Sequence, residues 1–190
     1  MKQETIHIRN MCCQRCVEAV TDELQSLGLT VDKVKLGEAK FTSSGRVNMA
    51  TIETSLNKRG FVLVKDEEEI LVENIKSAVF DLIHHLSEIK KAEFSLSTYL
   101  ENTTHKPYRH LLKIFTKHKG FTIEKYFTLQ KIEKVKELIG QAHLQFSAIA
   151  DIIGYKSLSH LSNQFKNITK MTMFEYKKLP NKERKFINEI

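Results

Sequence analysis

One break in periodicity decides most of what this chain can fold into. Up to Val64, segments with the period of two that marks half-buried strands alternate with short helical segments. Beyond Val64, every apolar repeat has the 3.6-residue spacing of an amphipathic helix. Residues 5–8 alternate and read as a strand. Val17, Val20, Leu24 and Leu27 have helical spacing, and Gly28 is the expected stop. Residues 30–36 alternate again, and Gly37-Glu38 turns the chain into Ala39-Lys40-Phe41. Asn48 or Thr51 opens a helix to Arg59, with Ile52 and Leu56 inward and Gly60 at its end. Residues 61–64 form a last strand. The order β-α-β-β-α-β over residues 1–65 predicts a ferredoxin-like domain.

The acidic run Asp66-Glu67-Glu68-Glu69 suits a helix start, where the macrodipole favours negative charge. Leu71, Val72, Ile75, Val79, Leu82, Ile83 and Leu86 continue it as one amphipathic helix over residues 70–89. Further helices are expected at 95–103, 107–118, 122–139, 147–153, 158–168 and 172–178. Pro107, Gly120, Gly140 and Gly154 mark the breaks, with Thr122 and Ser147 as N-caps. The fold class is therefore α+β. A ferredoxin-like domain (1–65) leads through a linking helix (66–90) to an all-α domain (91–180) and a short tail (181–190).

Charge sharpens the division. Residues 96–190 carry seventeen basic and eight acidic side chains, a net +9, whereas residues 66–95 carry −5 and residues 1–65 carry +3. A basic second half suits a polyanionic partner, although lysine-rich surfaces also serve solubility. No apolar run reaches about 18 residues and the N-terminus has no signal-like apolar stretch, so a cytoplasmic protein without a membrane partner is expected. No nucleophile–base–orienter set and no phosphate-binding Gly loop is present, which argues against an enzyme.

Residues 146–166 lay out a capped helix with Ala150 inside, Gly154 in a turn, and a second helix with Leu161 and Phe165 buried. That is helix-turn-helix architecture, and the second helix offers Leu158, Ser159, Ser162, Asn163 and Lys166 outward. Residues 96–115 repeat the layout, with Leu111 and Phe115 in the buried roles and Arg109, His110, Leu112 and Lys113 outward. Asn pairs with adenine edges, and Lys and Ser reach phosphates or bases. Residues 120–139, then Ile149-Ala-Asp-Ile-Ile-Gly-Tyr, Leu161-Ser-Asn-Gln-Phe-Lys and Met171-Thr-Met-Phe-Glu-Tyr-Lys-Lys follow in an order and spacing that resembles the AraC/XylS regulators. The resemblance implies a tandem helix-turn-helix domain that binds specific sequences of double-stranded DNA. It puts base contacts on Arg109, Leu112 and Lys113 and on Leu158, Ser159 and Asn163. The family commonly has Gly in the first turn, Arg on the second helix and Pro before the last helix; this chain has His105, Asn163 and Met173.

All three Cys fall within Met11-Cys12-Cys13-Gln14-Arg15-Cys16, at the expected start of the first helix. An odd, tight cluster is not a disulfide framework; it reads as metal or redox chemistry. Thiolates of Cys13 and Cys16 at a helix N-terminus converge on one point, with Cys12 as a candidate third ligand, and soft thiolates suit Cu(I) or Zn(II). Met-x-Cys-x-x-Cys in this position resembles the heavy-metal-associated domain of copper chaperones, with Asn10 and Cys12 where that family has Gly and Thr. His7 is read as a surface histidine, and the adjacent His84 and His85 point apart.

These features predict a transcription regulator responsive to a soft metal ion. A metallochaperone or metal buffer whose helical half contacts proteins, a thiol-redox sensor and a metal-independent regulator are the alternatives. A regulator of this kind would also meet RNA polymerase, a metal-donor protein and a second copy of itself.

Overall fold

The computed structural model describes residues 2–43, 48–86, 95–141 and 144–179. The chain divides into two compact units, Met1–Ser77 and Ala78–Ile190.

The first unit runs β1 (Lys2–Arg9), α1 (Gln14–Ser26), β2 (Thr30–Lys35), β3 (Glu38–Ser43), α2 (Met49–Lys58) and β4 (Val62–Val64). The strands form one sheet of order β2-β3-β1-β4 in which every neighbouring pair is antiparallel. Strand alternation buries Ile6 and Ile8 of β1 and Ala39 and Phe41 of β3, while the helical repeat buries Val20 and Leu24 of α1 and Ile52 and Leu56 of α2. Helix α1 lies against β2, α2 against β4, and the two helices touch. Between them, Glu23 accepts from Ser55 and pairs with Arg59.

Helix α3 (Glu67–His84) begins in this unit, with Glu67, Glu68 and Glu69 in its first turn. Its start is tied to the end of β1 by an Arg9–Glu69 ion pair at 3.6 Å. One turn on, Glu73 lies at the β2–β3 turn. A Cβ placed on Gly37 would sit 3.7 Å from the Glu73 Cβ and 3.9 Å from the Ile8 carbonyl oxygen, and Gly37 has φ +82°. Lys76 donates to both Glu73 carboxylate oxygens at 3.0 Å, and both side chains are buried. The division between units falls within α3, after Ser77. The helix ends at His84, short of the expected residue 89; residues 87–94 lie outside the described residues. His84 and His85 hold their Nδ1 atoms against the carbonyls of Phe80 and Asp81, one turn back.

The second unit continues with α4 (Leu96–Thr104), α5 (Tyr108–Lys119), α6 (Ile123–Gly140), α7 (Phe146–Ile152), α8 (Leu158–Thr169) and α9 (Met173–Lys178). Helix α6 is the spine and touches α5, α7, α8 and α9. At about 1.5 Å per residue its 18 residues span about 27 Å. Near its start Tyr126 packs on Phe115 of α5, with ring centroids 5.3 Å apart. Farther along, Ile132, Val135, Leu138 and Ile139 join the core made by α7, α8 and α9.

The two halves of this unit repeat at an offset of 50 residues. Leu111 and Leu161, Phe115 and Phe165, and Tyr126 and Tyr176 are buried counterparts. Phe165 meets Tyr176 at 5.6 Å, as Phe115 meets Tyr126. Gly120 and Lys170 both stop a helix with positive φ, and Thr122 and Thr172 both cap the next helix, onto the amides of Lys125 and Glu175. The expected cap at Ser147 is not formed: α7 starts at Phe146, and its N-cap is Gln145, without a side-chain bond.

Among the described residues no helix is long and apolar enough to cross a membrane.

Candidate functional site

Helices α5 and α8 are the second helices of the two helix-turn-helix units. Each is buried along an apolar side and has polar and aromatic contacts at its head. At the head of α5, the Tyr108 amide donates to Glu101 of α4 at 2.7 Å, and the Tyr108 hydroxyl donates to Glu124 of α6 at 2.6 Å. Burial and this bond hold the Tyr108 phenol above its ordinary range. At the head of α8, Ser157 caps the amide of His160. The preceding Tyr155 is buried, with Lys131 of α6 3.9 Å above its ring and the His160 ring at its edge. Burial pushes its phenol up as well.

With Leu111, Ile114 and Phe115 inward, α5 leaves Arg109 and Lys113 exposed, one turn apart. With Leu161 and Phe165 inward, α8 leaves Leu158, Ser159, Asn163 and Lys166 exposed. Leu112 and Ser162, expected outward, are only partly exposed, because they flank the buried Leu111 and Leu161. The turn before α5 contains His105 in the left-handed region (φ 54°, ψ 33°), and the turn before α8 contains Gly154 at φ 72°. The glycine habit at this kind of turn is thus a conformational demand that His105 meets at some cost.

The 50-residue offset also exposes counterparts that reading each helix separately does not pair. Lys106 and Lys156 both precede the second helix of their unit, and His110 and His160 both stand on its first turn; all four are exposed. Aligning the segment with itself at this offset is the signal that finds them.

The thiols sit in the first unit, where the chain leaves β1. Asn10 takes φ +74°, and its side-chain amide donates to the Gly60 carbonyl at 3.0 Å. Met11 is buried, so its thioether belongs to the core. Cys13 is the N-cap of α1, and the Cys16 amide donates to its carbonyl at 3.0 Å. The helical turn brings the sulfurs together. Cys16 Sγ lies 3.6 Å from Cys12 Sγ and 3.8 Å from Cys13 Sγ, and all three sulfurs lie within 4.8 Å of one another. Each Cys is half-buried. Burial and the neighbouring sulfurs push the Cys12 thiol up to about 12. At Cys13 burial acts the same way, but the Cys16 backbone amide, the Cys16 thiol and the Arg15 amide outweigh it, so this thiol sits below its ordinary range.

Zn–S bonds of about 2.3 Å at tetrahedral angles set sulfurs about 3.8 Å apart, so the spacing fits thiolates sharing one ion. His7 is not part of the cluster. It pairs across the sheet with Val64 and Glu38, and burial lowers its pKa.

Residues 100–179 match the helix-turn-helix domain family. No curated protein sequence matches the chain. Among solved structures, a DNA-binding transcriptional dual regulator from Escherichia coli K-12 is 19% identical, over 55% of this chain and 89% of that one, with a TM-score of 0.46. The C-terminal domain of AraT, a response regulator from Geobacillus stearothermophilus, is 16% identical, over 59% and 87%, with a TM-score of 0.48. A transcriptional regulator from Chromobacterium violaceum, described among AraC-type DNA-binding domain-containing proteins, is 17% identical, over 56% and 95%, with a TM-score of 0.46.

Proposed function

We propose, from the premise that residues 100–179 are a helix-turn-helix domain, that this protein is a sequence-specific DNA-binding transcription regulator whose N-terminal unit responds to a soft metal ion. The observation that carries the DNA reading is the pair of second helices, each buried along an apolar side and each exposing polar side chains at the counterpart positions Arg109/Ser159 and Lys113/Asn163. Helix α6 touches both α5 and α8, and one helix holding both second helices supports their insertion into successive major grooves, about 34 Å apart. The net +9 of residues 96–190 supplies attraction to phosphate.

The N-terminal unit is read as a ferredoxin-like, heavy-metal-associated domain; its βαββαβ order and antiparallel β2-β3-β1-β4 sheet support that. Cys13 and Cys16 are the proposed ligands, and the ion acts as effector. Loading it alters the β1–α1 loop, which follows the end of β1 where Arg9 pairs with Glu69 of α3. The coupling this requires is about 1–3 kcal/mol.

The test is selection of duplexes from a randomised pool by the reduced full chain, followed by affinity measurements across salt concentrations with and without Cu(I) or Zn(II). Enrichment of one sequence, with log affinity falling linearly against log salt, is expected. Equal affinity for all duplexes overturns sequence specificity, and no duplex binding beside tight Cu(I) uptake makes the protein a metallochaperone instead. A Cys13→Ser/Cys16→Ser variant whose regulation is unaltered overturns the metal response at these thiols and makes the protein a metal-independent regulator.

A further inference from the structure

We infer that Cys12 is a full ligand, so that the site is a three-sulfur centre for a soft divalent cation, with the fourth tetrahedral corner open; this rests on the metal-binding reading above. A pair of thiolates in a Cys-x-x-Cys turn suffices for an ion that takes two ligands in a line. Linear coordination with bonds of about 2.3 Å separates its sulfurs by about 4.6 Å. Here Cys13 and Cys16 stand at 3.8 Å and Cys12 and Cys16 at 3.6 Å, both near the edge of a tetrahedron around one ion. Cys16 is the shared vertex. It lies one helical turn beyond Cys13, the N-cap, and four residues beyond Cys12. The left-handed turn at Asn10 precedes the buried Met11, which anchors the chain immediately before Cys12.

Among the described residues no His, Asp or Glu joins the three sulfurs, so the protein supplies three corners. Three thiolates around a divalent cation carry one net negative charge, and the half-exposed sulfurs leave the fourth corner to water or to a donor's thiolate. Sulfur-rich tetrahedral surroundings select zinc-like ions and their heavier congeners.

The experiment uses the reduced full chain loaded with one equivalent of Cd(II) or Zn(II). X-ray absorption counts the sulfur ligands, and competition with a chelator gives affinity; Cu(I) is measured in parallel. Three sulfurs in the wild type, two in Cys12→Ser, and at least a tenfold loss of Cd(II) affinity in that variant are expected. Unchanged thermal unfolding of metal-free Cys12→Ser, whose side chain is half-exposed, separates ligand loss from misfolding. Two sulfurs in the wild type, or a Cys12→Ser protein with the same count and affinity, overturns the three-sulfur centre and leaves Cys13 and Cys16 as a two-ligand site. No binding of Cd(II), Zn(II) or Cu(I) by the wild type overturns the metal reading itself.

Discussion

At the scale of single residues, several choices that look like departures are conformational solutions. Asn10 occupies φ +74°, where Asn is among the few residues tolerated, and its side chain is anchored on Gly60. Asn10→Ala gives up the tolerance and the hydrogen bond together and should cost about 1–2 kcal/mol in urea unfolding. Asn10→Gly should cost less than Asn10→Ala. Glu23 works through ionisation. The Ser55 hydroxyl first, and Arg59 with it, hold its carboxyl below the ordinary range despite some desolvation. A carboxyl depressed in the folded state contributes stability above its unfolded pKa and loses it as pH falls through the folded one. The first unit should therefore weaken as acid is added below the ordinary carboxyl range, and Glu23→Gln should flatten that part of the curve. An unchanged slope in pH-dependent thermal melts would contradict this.

At the scale of elements, the proposed recognition rests on α5 and α8, and each exposed side chain there has its own expected signature. Lys113→Ala should weaken duplex binding and reduce the salt slope by about one unit. Asn163→Ala should relax preference at one base position, at about 1–3 kcal/mol, with the slope unchanged. Salt-dependent anisotropy on selected and scrambled duplexes separates the two. The elements themselves were legible in the sequence because periodicity and stops agreed: Val20 and Leu24 before Gly28, Leu111 and Phe115 before Gly120. What stayed hidden was tertiary. The Glu73–Lys76 pair has the spacing of an ordinary solvated helix pair, and nothing local reveals that its surroundings are dry. Ser147 carries a good capping side chain, yet α7 begins one residue earlier. The repeat was legible at Leu111 and Phe115 against Leu161 and Phe165, but not through the following turn and cap, where few residues are identical: Gly120 aligns with Lys170, and Ile123 with Met173.

For the whole molecule, the proposed function makes a thermodynamic demand. An ion that changes affinity for DNA by some factor must have its own affinity changed by DNA by the same factor. Cd(II) titrations of the full chain with and without a selected duplex should differ by the ratio seen when duplex affinity is measured with and without Cd(II), about 5- to 150-fold for ordinary couplings. Equal affinities in both titrations would mean that the two units work independently. The sequence carried the makings of both proposed sites, Cys13 and Cys16 in one unit and Arg109 to Lys166 in the other. It was silent on how Cys12 would lie, since adjacency to Cys13 does not say whether two sulfurs face one way; the turn at Asn10 and the first turn of α1 decide that. The matched cores and caps of the two halves have one more consequence. Exchanging the outward side chains of α5 and α8, residue for residue at the 50-position offset, leaves Leu111, Phe115, Leu161 and Phe165 untouched. Such a chimaera would recognise an operator in which the two half-sites have traded places.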